Sequence, residues 1–120
     1  MSTAIFGIHW LLQKGWRGLK PLGPAVIPAR FVPSPSALKI RLLVNGEVMQ
    51  DSSTEQMIFN VPQQITALST IAPLEPGDLI LTGTPAGTAT AHHNRYLTPG
   101  DHVTAEIENI GHLTTTITSN

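Results

Sequence analysis

The chain contains no cysteine. Disulfides, zinc–thiolate sites and a cysteine nucleophile are therefore excluded, and redox chemistry does not fix the compartment. Charge is scarce too: Asp, Glu, Lys and Arg make up 12% of residues, against about 25% in an ordinary domain. With 7 basic and 8 acidic side chains the net charge is −1. A nucleic-acid binder needs a basic face to neutralise phosphates, and an anionic membrane attracts a polybasic run; neither pattern is present. Long apolar runs are also missing. Ala4–Leu12 (AIFGIHWLL) is too short to cross a bilayer. It lacks the basic start and small-residue cleavage site of a signal peptide, so the expected compartment is the cytoplasm.

Turn-forming residues are plentiful. Ten prolines and ten glycines divide the 120 residues into short pieces, a pattern that favours strands and turns over long helices. The length suits one domain or part of one. Ile8–Gln13 is compatible with a helical turn or two, Trp16–Gly23 with a loop and Ala25–Ile27 with a short strand. Asn45-Gly46 separates the apolar runs Leu38–Val44 and Glu47–Gln50. Both turn residues tolerate positive φ, so the spacing predicts a β-hairpin, closed by Asp51–Ser53. Val61–Ala72 is the expected helix: Pro62 suits its first turn, and Ile65, Leu68 and Ile71 recur on one face. Asp78–Leu81 reads as a buried strand and Thr82–Gly87 as a loop. Thr88–Asn94 is polar and loop-like. Val103–Ile110 and Leu113–Thr118 alternate around Asn109 and Gly111, predicting a second hairpin. The expected fold class is mainly β with one main helix, α+β.

Few residues carry an obvious chemical signature. Glu106-Ile107-Glu108 places two carboxylates on one face of a strand, where oxygen ligands could meet a divalent cation. The same alternation describes any half-exposed strand. His92-His93 could meet a transition metal, or simply occupy a surface loop. Lys14 lies between an apolar Trp-containing segment and a glycine-rich loop. It could set a positive charge beside an anionic substrate or a developing enolate, or rest on the surface as a snorkelling side chain. Thr82-Gly83-Thr84-Pro85 follows an apolar run, and its hydroxyls and backbone N–H groups could cradle an oxygen atom. A turn that satisfies its own backbone reads the same way.

Larger motifs carry a resemblance. Lys14–Pro24 (KGWRGLKPLGP) is similar to the active-site lysine stretch of the fumarylacetoacetate hydrolase family, and His9-Trp10-Leu11 to the segment that precedes it. Asn45–Asp51 (NGEVMQD), Thr54–Phe59 (TEQMIF), Leu74–Gly87 (LEPGDLILTGTPAG), Arg95–Asp101 (RYLTPGD) and Ala105–Gly111 (AEIENIG) follow in the family's order. The resemblance runs from His9 to Asn120, the C-terminal part of the family's catalytic domain, with residues 1–8 unmatched. It implies a partial mixed β-roll and a dimer or a partner chain. The implied chemistry is metal-dependent hydrolysis, isomerisation or decarboxylation of acyl-pyruvates and other oxo-acids. Mg2+ or Mn2+ is the expected cofactor, as Lewis acid for an enolate.

By the same resemblance Lys14 falls on the catalytic lysine, Thr84 on a threonine that contacts the oxo-acid, and Gly83 and Pro85 on the loop that shapes this contact. Arg17 stands where the family has aspartate, and Gly18 where it usually has threonine. The family's metal carboxylates precede the lysine, and no acidic residue lies before Lys14, so no metal ligand is assigned. The implied protein is a truncated member, weak or inactive alone. The alternative is a non-catalytic module that binds a full-length relative, or one half of a split enzyme.

Overall fold

The structure, a computed structural model, describes residues 14–119. The helical turn expected over Ile8–Gln13 and the His9-Trp10-Leu11 segment lie outside them. Five elements organise the described part: β1 (Lys39–Val44), β2 (Glu47–Ser53), α1 (Val61–Ser69), β3 (His102–Ile107) and β4 (Gly111–Thr116). The strands form a four-stranded antiparallel sheet in the order β2-β1-β3-β4. Among the described residues the observed class is thus mainly β with one main helix.

Both expected hairpins are present. Asn45 and Gly46 have φ of 53° and 84°, the two positive values that a type I′ turn requires. Strand β2 continues through Ser53, so Asp51–Ser53 extend the hairpin rather than end it. Their pairing with Lys39, Ile40 and Arg41 holds them in the ladder. Beyond it, the Thr54 hydroxyl accepts from Leu38 N–H at 2.9 Å and donates to the Pro35 carbonyl at 2.9 Å. This ties the exit of β2 to the entrance of β1. β3 and β4 meet across Glu108-Asn109-Ile110, with Asn109 at φ 61°.

The ladder interrupts once. Leu42 pairs with Gln50 and Leu43 with Val48, leaving Met49 as an extra residue in β2. This is a β-bulge, which bends a strand and frees backbone groups from the ladder.

The two sheet faces differ in chemistry. One carries Arg41 between Asp51 and Glu106, at 3.6 Å and 3.8 Å, with Thr104 and Thr114 joined through their hydroxyls at 3.0 Å. The other presents Ile40, Leu42, Val44, Val103, Ala105 and Ile107, as the alternation and the register require. The buried side chains among the described residues are Val32, Leu38, Val44, Met49 and Gln50.

Two Pro-Gly-Asp segments fold alike. Asp78 accepts from Glu75 N–H at 2.8 Å, and Asp101 from Thr98 N–H at 2.8 Å. In each, the aspartate N–H returns to the carbonyl three residues back. Proline and glycine occupy the centre, as turn stereochemistry favours. Asp101 also accepts from Asn45 at 2.8 Å, while Asn45 accepts from His102 N–H at 2.9 Å. The turn before β3 is thereby clamped to the turn of the first hairpin. The Thr98 backbone N–H, then the Asn45 amide, hold the Asp101 carboxyl below the ordinary aspartate range.

Three sequence expectations need correction. Helix α1 ends at Ser69 rather than Ala72: the Ser69 and Thr70 hydroxyls bond carbonyls three residues back, competing with helical bonding, before Pro73 stops it. Its start is as expected, with Asn60 and Gln63 forming a capping box and Pro62 in the first turn. The apolar residues expected on its face are exposed, Ile65 and Leu68 within the helix and Ile71 beyond its end. Asp78–Leu81 is not a buried strand: it pairs with no strand among the described residues, and Leu79 and Leu81 are each 69% exposed. Ala25–Ile27 forms no strand either. A sequence run specifies an extended apolar segment, but a strand needs a hydrogen-bonding neighbour.

Candidate functional site

The bulge in β2 decides what surrounds the Thr82–Gly87 loop. Released from the ladder, the Met49 carbonyl accepts from His92 Nε2 at 2.8 Å. A carbonyl cannot donate, so this ring nitrogen carries the proton. His92 belongs to a short 3-10 turn, Ala89–His92, and is committed to this contact. Gly87 closes on the same carbonyl: a Cβ there would lie 2.1 Å from the Met49 oxygen, and its φ is +98°. Glycine is required by both space and backbone conformation.

Gln50, the next residue, is only 9% exposed and reaches the loop from below. Its Nε2 donates to Thr84 Oγ1 at 3.0 Å, the Pro85 carbonyl at 2.8 Å and the Ala86 carbonyl at 3.3 Å. The loop is thus pinned to β2 along Thr84–Ala86 by Gln50 and packed on Met49 at Gly87. Gly83, with φ 104°, turns the chain just before Thr84, and both residues remain exposed.

Between this loop and the segment that leaves β2 lies a cleft of about 750 Å3. Ser52, Ser53, Thr54, Gln56, Gln64, Thr82 and Thr84 supply neutral polar groups, and Ile40, Met57, Ile58 and Phe59 an apolar side. No charged side chain lines it among the described residues. Such a site meets ligand oxygens with hydroxyl and amide donors, and carbon with apolar surface.

The structure brings Gly83, Thr84 and Pro85 together at this cleft. Lys14 is exposed and is not one of the cleft-lining residues. Arg17 and Gly18 sit at the centre of the turn closed by Leu19 N–H and the Trp16 carbonyl at 3.2 Å. The carboxylate pair has other partners: Glu106 faces Arg41, and Glu108 accepts from Lys39 N–H at 3.1 Å. Among the described residues no three His, Asp or Glu side chains converge as a metal site. The residues present do not fit a divalent ion by themselves, since a hard cation takes several converging oxygen ligands. Sequence reasoning missed Gln50 as a site residue. Its signal was present in the NGEVMQD motif, but only the register of β2 shows which way its side chain faces.

Comparison with known proteins decides the family. The family model for the fumarylacetoacetate (FAA) hydrolase C-terminal domain matches residues 1–118. The chain belongs to the fumarylacetoacetate hydrolase family. It is 46% identical over 106 residues to the mitochondrial oxaloacetate tautomerase FAHD2A of Bos taurus, covering 88% of this chain and 34% of that protein. The fumarylacetoacetate hydrolase of Exiguobacterium antarcticum superposes with a TM-score of 0.81 at 36% identity, over 86% of this chain and 37% of the other. The fumarylpyruvate hydrolase of Pseudomonas aeruginosa, solved with Mn2+ and pyruvate, gives 0.70 at 32% identity, over 78% and 37%. The chain therefore spans about a third of the length of these relatives. These relatives include hydrolases and an oxaloacetate tautomerase, and one of them was solved with Mn2+ and pyruvate.

Proposed function

We propose that this chain forms the oxo-acid-binding wall of a metal-dependent enzyme acting on acyl-pyruvates or related oxo-acids. The observation that carries the reading is the pinned Thr82–Gly87 loop beside a cleft of neutral donors and apolar wall. The Thr84 hydroxyl contacts an anionic oxygen of the substrate, Gly83 lets the backbone approach it, and the Met57–Phe59 side receives the acyl portion. Lys14 is the catalytic lysine, brought to the substrate as the complete site assembles. Mg2+ or Mn2+, where bound in the complete site, would supply Lewis-acid chemistry. Its carboxylate ligands come from outside the described residues, on a further segment or a partner chain.

The test is calorimetric titration of the chain with oxaloacetate in the presence of Mn2+ or Mg2+, on wild type and Thr84→Val. A hydrogen bond to a charged oxygen contributes about 1.5–3 kcal/mol, so the valine variant should bind at least about tenfold more weakly. Equal affinity removes Thr84 from the site. In an assembled, active enzyme Lys14→Ala should abolish most turnover while leaving the fold unchanged, and full activity would remove the lysine's role.

A second reading is favoured by the exposed apolar side chains, Ile58 at 91% and Ile71 at 83% among them. In it the chain is a non-catalytic module that associates with a longer relative or with its own copies. Retention of a longer family member with no oxo-acid or metal uptake by this chain would select it over the first.

A further inference from the structure

Gln50 does more than hold a loop, because its amide dictates which way the Thr84 hydroxyl is polarised. The orientation of a glutamine amide follows from its partners. Here two of them, the Pro85 and Ala86 carbonyls at 2.8 Å and 3.3 Å from Nε2, can only accept. The NH2 group must therefore face the loop, and the same nitrogen lies 3.0 Å from Thr84 Oγ1. Thr84 Oγ1 also lies 3.5 Å from Gln50 Oε1, to which it can donate only at the long limit of hydrogen bonding. The Thr84 oxygen is thus an acceptor from inside the protein, and only the long Oε1 contact competes with a cleft ligand for its proton. With one of its two lone pairs taken by Gln50, the hydroxyl is biased toward donating, the polarity an anionic ligand oxygen needs.

We propose that Gln50 is a positioning residue that presets Thr84 as a hydrogen-bond donor toward an anionic oxygen of the substrate. The proposal rests on the oxo-acid reading for its ligand, but the preset geometry itself can be read without ligand. Three features make the assignment stronger than an ordinary surface contact. Gln50 is buried. It follows the bulge residue whose carbonyl receives His92 and Gly87. All its Nε2 acceptors belong to consecutive residues of one loop.

The first readout is NMR of the ligand-free chain. The Gln50 side-chain amide should show cross-relaxation to the Thr84 methyl group. In Gln50→Glu the carboxylate would face carbonyl oxygens in a buried position, which raises its pKa. The Thr84 methyl resonance of that variant should titrate with a midpoint above the ordinary glutamate value of about 4.3, and the wild-type resonance should not. As the variant's carboxyl gains its proton it regains one donor, so the low-pH resonance should approach the wild-type position. No cross-relaxation in the wild type, or a midpoint in the ordinary range, overturns the proposal.

The second readout is affinity for oxaloacetate with Mn2+. Gln50→Met, similar in length but without a donor, should weaken binding at least about tenfold in the wild-type background and have little effect on Thr84→Val. Equal losses in both backgrounds would mean a general structural role and would overturn the proposal. If the wild-type chain binds no oxaloacetate, the oxo-acid reading falls, and the resonance titration alone decides the positioning.

Discussion

At the scale of single residues, the site depends on groups whose neighbours leave them no alternative. Gly87 is the sharpest case, since a methyl group would overlap the Met49 carbonyl at 2.1 Å. Gly87→Ala should therefore cost about 2–4 kcal/mol, from positive-φ strain and a backbone displacement together. Chemical denaturation is the measurement, and a change below about 0.5 kcal/mol would show that the loop does not pack on β2 as described. The Thr82–Gly87 loop, with Gly83 and Thr84, stood out in the sequence because its motif is recognisable, and the structure puts it at the cleft. Gln50 was not, because the direction of a strand side chain depends on register, and one bulged residue resets it. The roles of Glu106 and Glu108 were ambiguous for a related reason. Alternation placed them outward, but only the cross-strand neighbours, Arg41 and the Lys39 backbone, show what they satisfy.

At the scale of elements, local chemistry predicted turns better than strands. Asn45-Gly46 specified its hairpin because the turn residues decide the backbone angles without help from distant parts of the chain. The segment Asp78–Leu81 has strand composition but needs a neighbour, which its own residues cannot encode. Helix α1 shows both sides of this. Its start was readable from Pro62 in the first turn, while burial of its stripe depends on what packs there.

The turn clamp before β3 yields an acid-stability prediction. Asp101 has a lowered pKa because it accepts from Thr98 and Asn45. The sign follows: the stabilisation is complete above the ordinary aspartate range, about pH 4, and is lost as pH falls through the lower folded-state value. Asp101→Asn should thus be less stable than wild type at neutral pH. The difference should narrow below about pH 4, measured by thermal unfolding across pH. A gap that is constant with pH would mean the carboxylate charge does not contribute.

At the scale of the whole molecule, one sheet face is polar and paired, while apolar side chains on α1, the Met57–Phe59 segment and Asp78–Leu81 stand open. Exposed apolar area of this extent marks association surfaces. The chain alone should sediment as a concentration-dependent mixture of oligomers, and replacing Leu79 and Leu81 by serine should shift it toward monomer. A monomer at all concentrations, with Leu79 and Leu81 intact, would show that this surface tolerates water. The family fold is recognisable across the molecule despite this openness, because motif order and the antiparallel register carry it. What completes the site is less legible, since the described residues hold no converging metal ligands.

The extra residue in β2 also makes the site a matter of odd and even. Counting from the Val44–Glu47 pair without interruption, Gln50 would stand opposite Arg41 on the charged face. With Met49 set aside, Asp51 takes that place and Gln50 turns toward the cleft. A one-residue deletion ahead of the bulge, harmless at most surface turns, would here put the Asp51 carboxylate beneath Thr84, and an insertion would put the Met49 thioether there. Hairpin length is therefore under the same constraint as the identity of the residues around the Thr82–Gly87 loop, though none of the residues that set it lines the cleft.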